Sequence, residues 1–95
     1  MLLELLSDER LMVRFVWHND TESFEELVRR WDRQVFAFLV KASRDADAAK
    51  DLRQDAFIRV YKHSATFDSE QKFSTWLFSI VRNVLATWFA KKRRC

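Results

Sequence analysis

The chain contains neither glycine nor proline in 95 residues, where average usage of about 7% and 5% would place several of each. Without glycine, the positive-φ turns of tight hairpins lose their usual residue; without proline, rigid corners do. A hairpin-rich sheet protein is therefore hard to build from this chain, and the glycine-rich loops that cradle phosphates are excluded. The single cysteine, Cys95, rules out an intrachain disulfide and a multi-cysteine zinc site; standing last, it is given no role. His18 and His63 lack ligand spacing, and no Ser/His/Asp or Cys/His constellation stands in suitable places. No metal, no cofactor and no enzymatic activity are expected. No apolar run reaches the roughly 18–20 residues of a membrane span. The start, Met1–Leu6, includes Glu4 and has no basic flank, which makes a poor signal peptide. The expected setting is cytoplasmic and away from membranes.

What is present points to helices. Hydrophobic residues make up 48% and charged residues 33% of the chain, a balance that excludes disorder and suits one small domain with one core. The expected fold is all-α, a compact bundle of about four helices with one long loop between helices three and four. Ser7 is a candidate N-cap for a first helix with Asp8 and Glu9 in its first turn, ending near Trp17. A second helix starts around Asn19–Thr21 and runs to about Lys41, with Phe24, Leu27, Val28, Trp31, Val35, Phe38 and Leu39 on its buried face. A third spans about Asp45 to His63, with Ala49, Leu52, Ala56, Phe57 and Val60 inward. In the fourth, Phe73, Trp76, Leu77, Ile80, Val81, Val84, Leu85 and Trp88 repeat at spacings of three and four. Ser64–Lys72, between helices three and four, is polar and carries an aromatic, Phe67, read as exposed. The four tryptophans are read mostly as core.

Net charge is +3, unevenly spread. Residues 1–61 hold ten Lys/Arg against twelve Asp/Glu (−2), and residues 62–95 hold seven against two (+5). Four of those seven form the closing run Lys91-Lys92-Arg93-Arg94. An acidic front and a basic rear suggest two partner surfaces of opposite character, although a short basic run can equally be a solvated tail.

Two segments are more specific. Ala49-Lys50-Asp51-Leu52-Arg53-Gln54-Asp55-Ala56-Phe57 resembles the "AEDLVQE-F" segment of extracytoplasmic-function sigma factors of bacterial RNA polymerase. Phe73-Ser74-Thr75-Trp76-Leu77, continued by Ile80, Arg82 and Asn83, resembles the "F-x-x-W-L-x-x-I-x-R-N" segment that follows it, with a basic cluster beyond. Phe24-Glu25-Glu26-Leu27 is similar to the "FEELY" that opens the same region. The likeness covers about residues 7–94. Two departures stand out: Thr87 where the family often has an acid, and Ser79-Ile80 where primary sigma factors carry a tryptophan pair used in melting. No helix-turn-helix domain is present in residues 1–95, so the resemblance makes this chain one domain, region 2, of a longer protein.

The resemblance implies that the third helix holds the clamp helices of the polymerase's largest subunit. Asp51, Leu52, Gln54, Asp55 and Ile58 are the residues expected there. Asp51 and Asp55 lie one turn apart; Ile58, about 100° from Phe57, is the apolar anchor left outside. The resemblance also implies that the fourth helix and its preceding loop take up the promoter minus-ten element as single-stranded DNA, on the non-template strand. Thr75, Ser79, Arg82 and Asn83 lie opposite the apolar stripe and offer hydroxyl, guanidinium and amide groups. Phe67 is expected to capture an extruded base, and Lys62, Lys72 and Lys91, Lys92, Arg93 and Arg94 to contact phosphates. An anti-sigma factor is a further partner implied by resemblance. Two other readings stay open: a helical protein–protein adaptor without DNA binding, and a duplex reader that enters a major groove.

Overall fold

The first, third and fourth α-helices of this chain begin where a polar side chain accepts from a free N–H group. In the computed structural model, which describes residues 2–94, a short 3₁₀ turn (Leu3–Leu5) leads into α1 (Asp8–His18). The Ser7 hydroxyl caps α1 by accepting from the Arg10 N–H at 3.2 Å. α2 runs over Thr21–Ser43 and α3 over Ala46–Lys62, where Asp45 Oδ1 accepts from the Ala48 N–H at 3.0 Å. A second 3₁₀ turn (Ser64–Thr66) begins the connection to α4 (Phe73–Arg94). The segment expected as plain loop is therefore partly ordered. α4 takes its cap from the far end of the chain: the Phe73 N–H donates to Glu9 Oε2 of α1 at 2.7 Å.

With no glycine, two other residues supply the left-handed positions that end helices. Asn19 closes α1 at φ 52° and Arg44 closes α2 at φ 58°. Asparagine tolerates this region, whereas a longer L-residue pays a steric cost of about 1–2 kcal/mol there.

α2 lies at the centre and packs most extensively on α3, then on α1, while α3 also supports α4. Leu27, Val35 and Leu39 of α2 meet Ala49, Ala56 and Val60 of α3 and Leu77 and Val81 of α4 in one core. Leu11 and Met12 of α1, which the sequence pattern did not single out, are fully buried in it too. The tryptophans correct the expectation: Trp31, Trp76 and Trp88 are only half-buried, and Trp17 is 78% exposed. A wide indole is seldom covered completely in so thin a bundle. The half-buried rings instead line a seam beneath α4, where Trp31 meets Phe73 and Phe78 at 6.4 and 6.2 Å and Phe38 meets Phe78 at 5.5 Å.

A charged lock joins α1 to α2. Glu26, almost buried, accepts from Arg29 (2.9 and 2.7 Å) and from Arg30 (2.9 Å). Arg30 in turn reaches Asp8 of α1 and the Leu3 carbonyl at 3.0 and 3.1 Å. The hydrogen bonds from Arg29 and then Arg30 hold the Glu26 carboxyl below its ordinary value of 4.5. Asp20, between the two helices, is held low first by the hydroxyl of buried Ser23 and then by Arg14.

Candidate functional site

α3 carries a groove on each flank. The first, of about 540 Å³, lies against α2. Phe24, Val28 and Phe57 form its apolar floor, and Asp51, Gln54 and Ile58 stand along its α3 side. Ile58 is 43% exposed, outside the core as its position on the wheel predicts. Tyr61 closes one end through ring contacts with Phe15 and Phe24 at 5.3 and 5.4 Å. Arg53 braces the wall: its guanidinium lies 4.7 Å from the Phe36 ring centre and 3.5 Å from Asp32. The result is an apolar depression whose rim carries both signs of charge, Asp32 and Asp51 against Lys50 and Arg53, with the Gln54 amide beside them.

Leu52 is not part of that surface. It is 7% exposed and belongs to the inward row of Ala49, Ala56 and Val60, so a direct partner contact is corrected to a core role. Asp55 stands at the opposite edge of the helix face. Its carboxylate accepts from Arg59 Nε and Nη2, each at 3.4 Å.

The second groove, of about 450 Å³, lies between α3 and α4 and is lined by Arg59, His63, Thr66, Trp76, Ser79 and Asn83, with Ile80 at its floor. Ser79 and Asn83 were expected on this surface; the α3 residues and Thr66 were not. Arg59 was not singled out in the sequence, and only the packing of α3 on α4 shows that Arg59 Nη1 donates to Asn83 Oδ1 at 3.1 Å. The Ser79 hydroxyl donates to the Trp76 carbonyl at 2.6 Å. Its oxygen therefore remains as an acceptor toward the groove. Thr75 and Arg82 are exposed along the same helix, Lys62 at the end of α3, and Lys72 just before α4.

Phe67 differs from its expected state. It is half-buried, with its ring 5.2 Å from Trp76 and 6.0 Å from Phe73, because an apolar ring beside the α4 seam gains more by packing than by standing in water. It is a fixed wall and not a free stacking ring. On its outer side it shares a shallow depression with exposed Trp17 of α1 and with Asp68 and Ser69.

The closing basic run does not share the groove. Lys91, Lys92, Arg93 and Arg94 are exposed on the last turn of α4, about 18 Å or more along the axis from Ser79 at 1.5 Å per residue. Lys92 lies over the Trp88 ring at 4.8 Å, which holds that cation against the helix. Among the described residues no group of three or more His, Cys, Asp or Glu side chains gathers to hold a metal ion, and no helix is long and apolar enough to cross a membrane.

Comparison with known proteins places the fold. The chain is 29% identical over 91 residues to the ECF RNA polymerase sigma factor SigW of Bacillus subtilis, covering 96% of this chain and 48% of that protein. To the ECF RNA polymerase sigma-E factor of Haemophilus influenzae it is 30% identical over 93 residues, covering 98% and 48%. It thus spans about half the length of these curated relatives. The NMR structure of an engineered region 2 of sigmaE in complex with GTAAAA superposes with a TM-score of 0.84 at 33% identity, covering 96% of this chain and 94% of that one. Residues 27–95 match the family described as Sigma-70 region 2. With that match over most of its length and the same four-helix architecture, the chain belongs to the sigma-70 region 2 family.

Proposed function

We propose that this chain is the part of a transcription initiation factor that docks on core RNA polymerase with the α2/α3 groove and takes up the minus-ten promoter element with the α3/α4 groove. The observation that carries the reading is the outer face of α4. Thr75, Ser79, Arg82 and Asn83 are all exposed on it, and a solved region 2 with the same fold holds GTAAAA. Hydroxyls and amides reach base edges and guanidinium groups reach phosphates, the mixture that an unpaired strand requires.

Opening a duplex costs unstacking and unpairing energy, which the protein offsets by holding the separated strand. Base–aromatic stacking is worth roughly 1–3 kcal/mol per base, enough for about one broken step. With Phe67 packed on Phe73 and Trp76 and the tryptophan pair of primary sigma factors replaced by Ser79-Ile80, opening depends on the promoter's own ease of melting. Lys62, Lys72 and the run Lys91–Arg94 supply the phosphate contacts. The apolar groove with Ile58 exposed at its side and charges of both signs on its rim suits a protein partner, and the clamp helices of the polymerase's largest subunit are the partner we assign to Asp51, Gln54 and Ile58, with Asp55 on the neighbouring edge of α3. Action in the cytoplasm and control by an anti-sigma factor belong to the same proposal.

The test is fluorescence anisotropy with single-stranded GTAAAA-containing DNA and its duplex at two salt concentrations. Tighter binding to the single strand, weakening steeply with salt, is the expected result. Preference for the duplex would favour a major-groove reader, and no binding even at low salt would leave a protein–protein adaptor.

A further inference from the structure

We propose that Arg59 is a positioning residue that fixes which end of the Asn83 amide faces the DNA strand, and so sets the base preference at the position Asn83 reads. The inference rests on the reading of the α3/α4 groove as the strand-binding surface. Its basis is the donor inventory of the side chains. A guanidinium carries only N–H donors and cannot accept. The amide that meets Arg59 Nη1 at 3.1 Å must therefore turn its oxygen inward, leaving the NH₂ group, which has no partner among the described residues, directed outward. Unconstrained, an exposed asparagine amide can rotate by 180° and offer a donor or an acceptor. Locked by Arg59, it offers a donor only.

Arg59 is itself held. Asp55 accepts from its Nε and Nη2 at 3.4 Å each, which leaves Nη1 for Asn83. The chain of contacts runs from Asp55 through Arg59 to Asn83 on the reading face of α4. One turn earlier on α4, the Ser79 hydroxyl hydrogen is committed to the Trp76 carbonyl. The groove therefore presents a fixed pattern, an N–H donor from Asn83 and an oxygen acceptor from Ser79. Base edges present distinct arrangements of donors and acceptors, so a pattern that cannot rotate selects among them. Asn83 then favours a base with an acceptor at the matching place.

The experiment is selection of single-stranded oligonucleotides, randomised at six central positions, on the 95-residue chain, with sequencing of the bound fraction. The wild type should enrich one base at one position in a manner that Asn83→Ala abolishes. Arg59→Met, which removes every donor, should cut that enrichment at least fivefold and leave the other positions unchanged. Arg59→Lys, still a pure donor, should preserve it. Asn83→Asp, which keeps an oxygen toward Arg59 but places a second oxygen outward, should change the favoured base to one offering a donor. Thermal melts establish that each variant is folded, and if Arg59→Met is not, Asp55→Asn with Asn83→Asp carries the test. Arg59→Met that keeps the full enrichment, or lowers all positions alike, overturns the proposal and leaves strand binding standing. Wild-type protein that binds but enriches nothing does the same; wild-type protein that binds no single strand overturns the strand-binding reading along with it.

Discussion

The two grooves flanking α3 are built from one helix yet differ in what lines them. Against α2 the floor is made of whole aromatic and aliphatic side chains, and polar groups occur only at the edge. Against α4, hydroxyl, amide, imidazole and guanidinium groups stand around Trp76 and Ile80, with Arg59 already bonded to Asn83 and the Ser79 hydroxyl to the Trp76 carbonyl. An apolar floor gains affinity by excluding water and tolerates variation in shape, whereas a pre-bonded polar lining gains discrimination because each donor and acceptor is assigned. The difference fits a constant protein partner on one flank and a sequence to be chosen on the other.

Separate damage to each groove is the strongest way to break this comparison. Ile58→Asp places a charge at the apolar anchor and should weaken core-polymerase binding at least about thirtyfold in a pull-down titration, with binding of single-stranded DNA unchanged. A comparable loss of both would mean that the grooves are not independent. Asn83→Ala should do the opposite, lowering discrimination at one base about tenfold in competition assays and leaving polymerase affinity intact. Glu26→Gln tests the frame common to both. Its carboxylate is held below 4.5 in the folded chain, so the stability it contributes is complete above about pH 4.5 and is lost as pH falls through the lowered value. The variant should cost about 1 kcal/mol at neutral pH and flatten the acid side of the stability curve, as read by thermal melts from pH 3 to 7. Smallest of all, Arg44→Gly relieves a left-handed backbone position and should raise stability by about 0.5 kcal/mol without touching either groove.

Much of the fold was legible because helices declare themselves locally. Ser7 caps α1 as expected, α3 begins within a residue of the expected Asp45, and the 3–4 spacing of Phe73, Leu77, Val81 and Val84 marks the buried side of α4. Stripe width was less legible. Periodicity places Trp76, Ile80 and Trp88 on the inner side, but only packing shows that they lie at its margins. Arg44 in a left-handed turn has no sequence signal at all. At the site, Ile58 was visible from the angle it makes with Phe57, and Leu52 was read as inward from its spacing, as it is, but was also assigned a partner contact because the motif containing it was read as a surface. Arg59 was missed for a different reason. Its value comes from Asn83, 24 residues away, and pairings across helices are set by how elements dock rather than by their own patterns.

The cap on α4 has a kinetic consequence. Because Glu9 satisfies the Phe73 N–H, the first turn of the last helix is completed by a contact that closes a loop of 64 residues. Loop closure on that scale costs entropy before it returns any energy, so this joint forms late, after α2 and α3 have drawn the ends together. The first turn of α4 therefore depends on a distant contact, and amide exchange there should run faster than at Val81 or Val84 in the middle of the same helix.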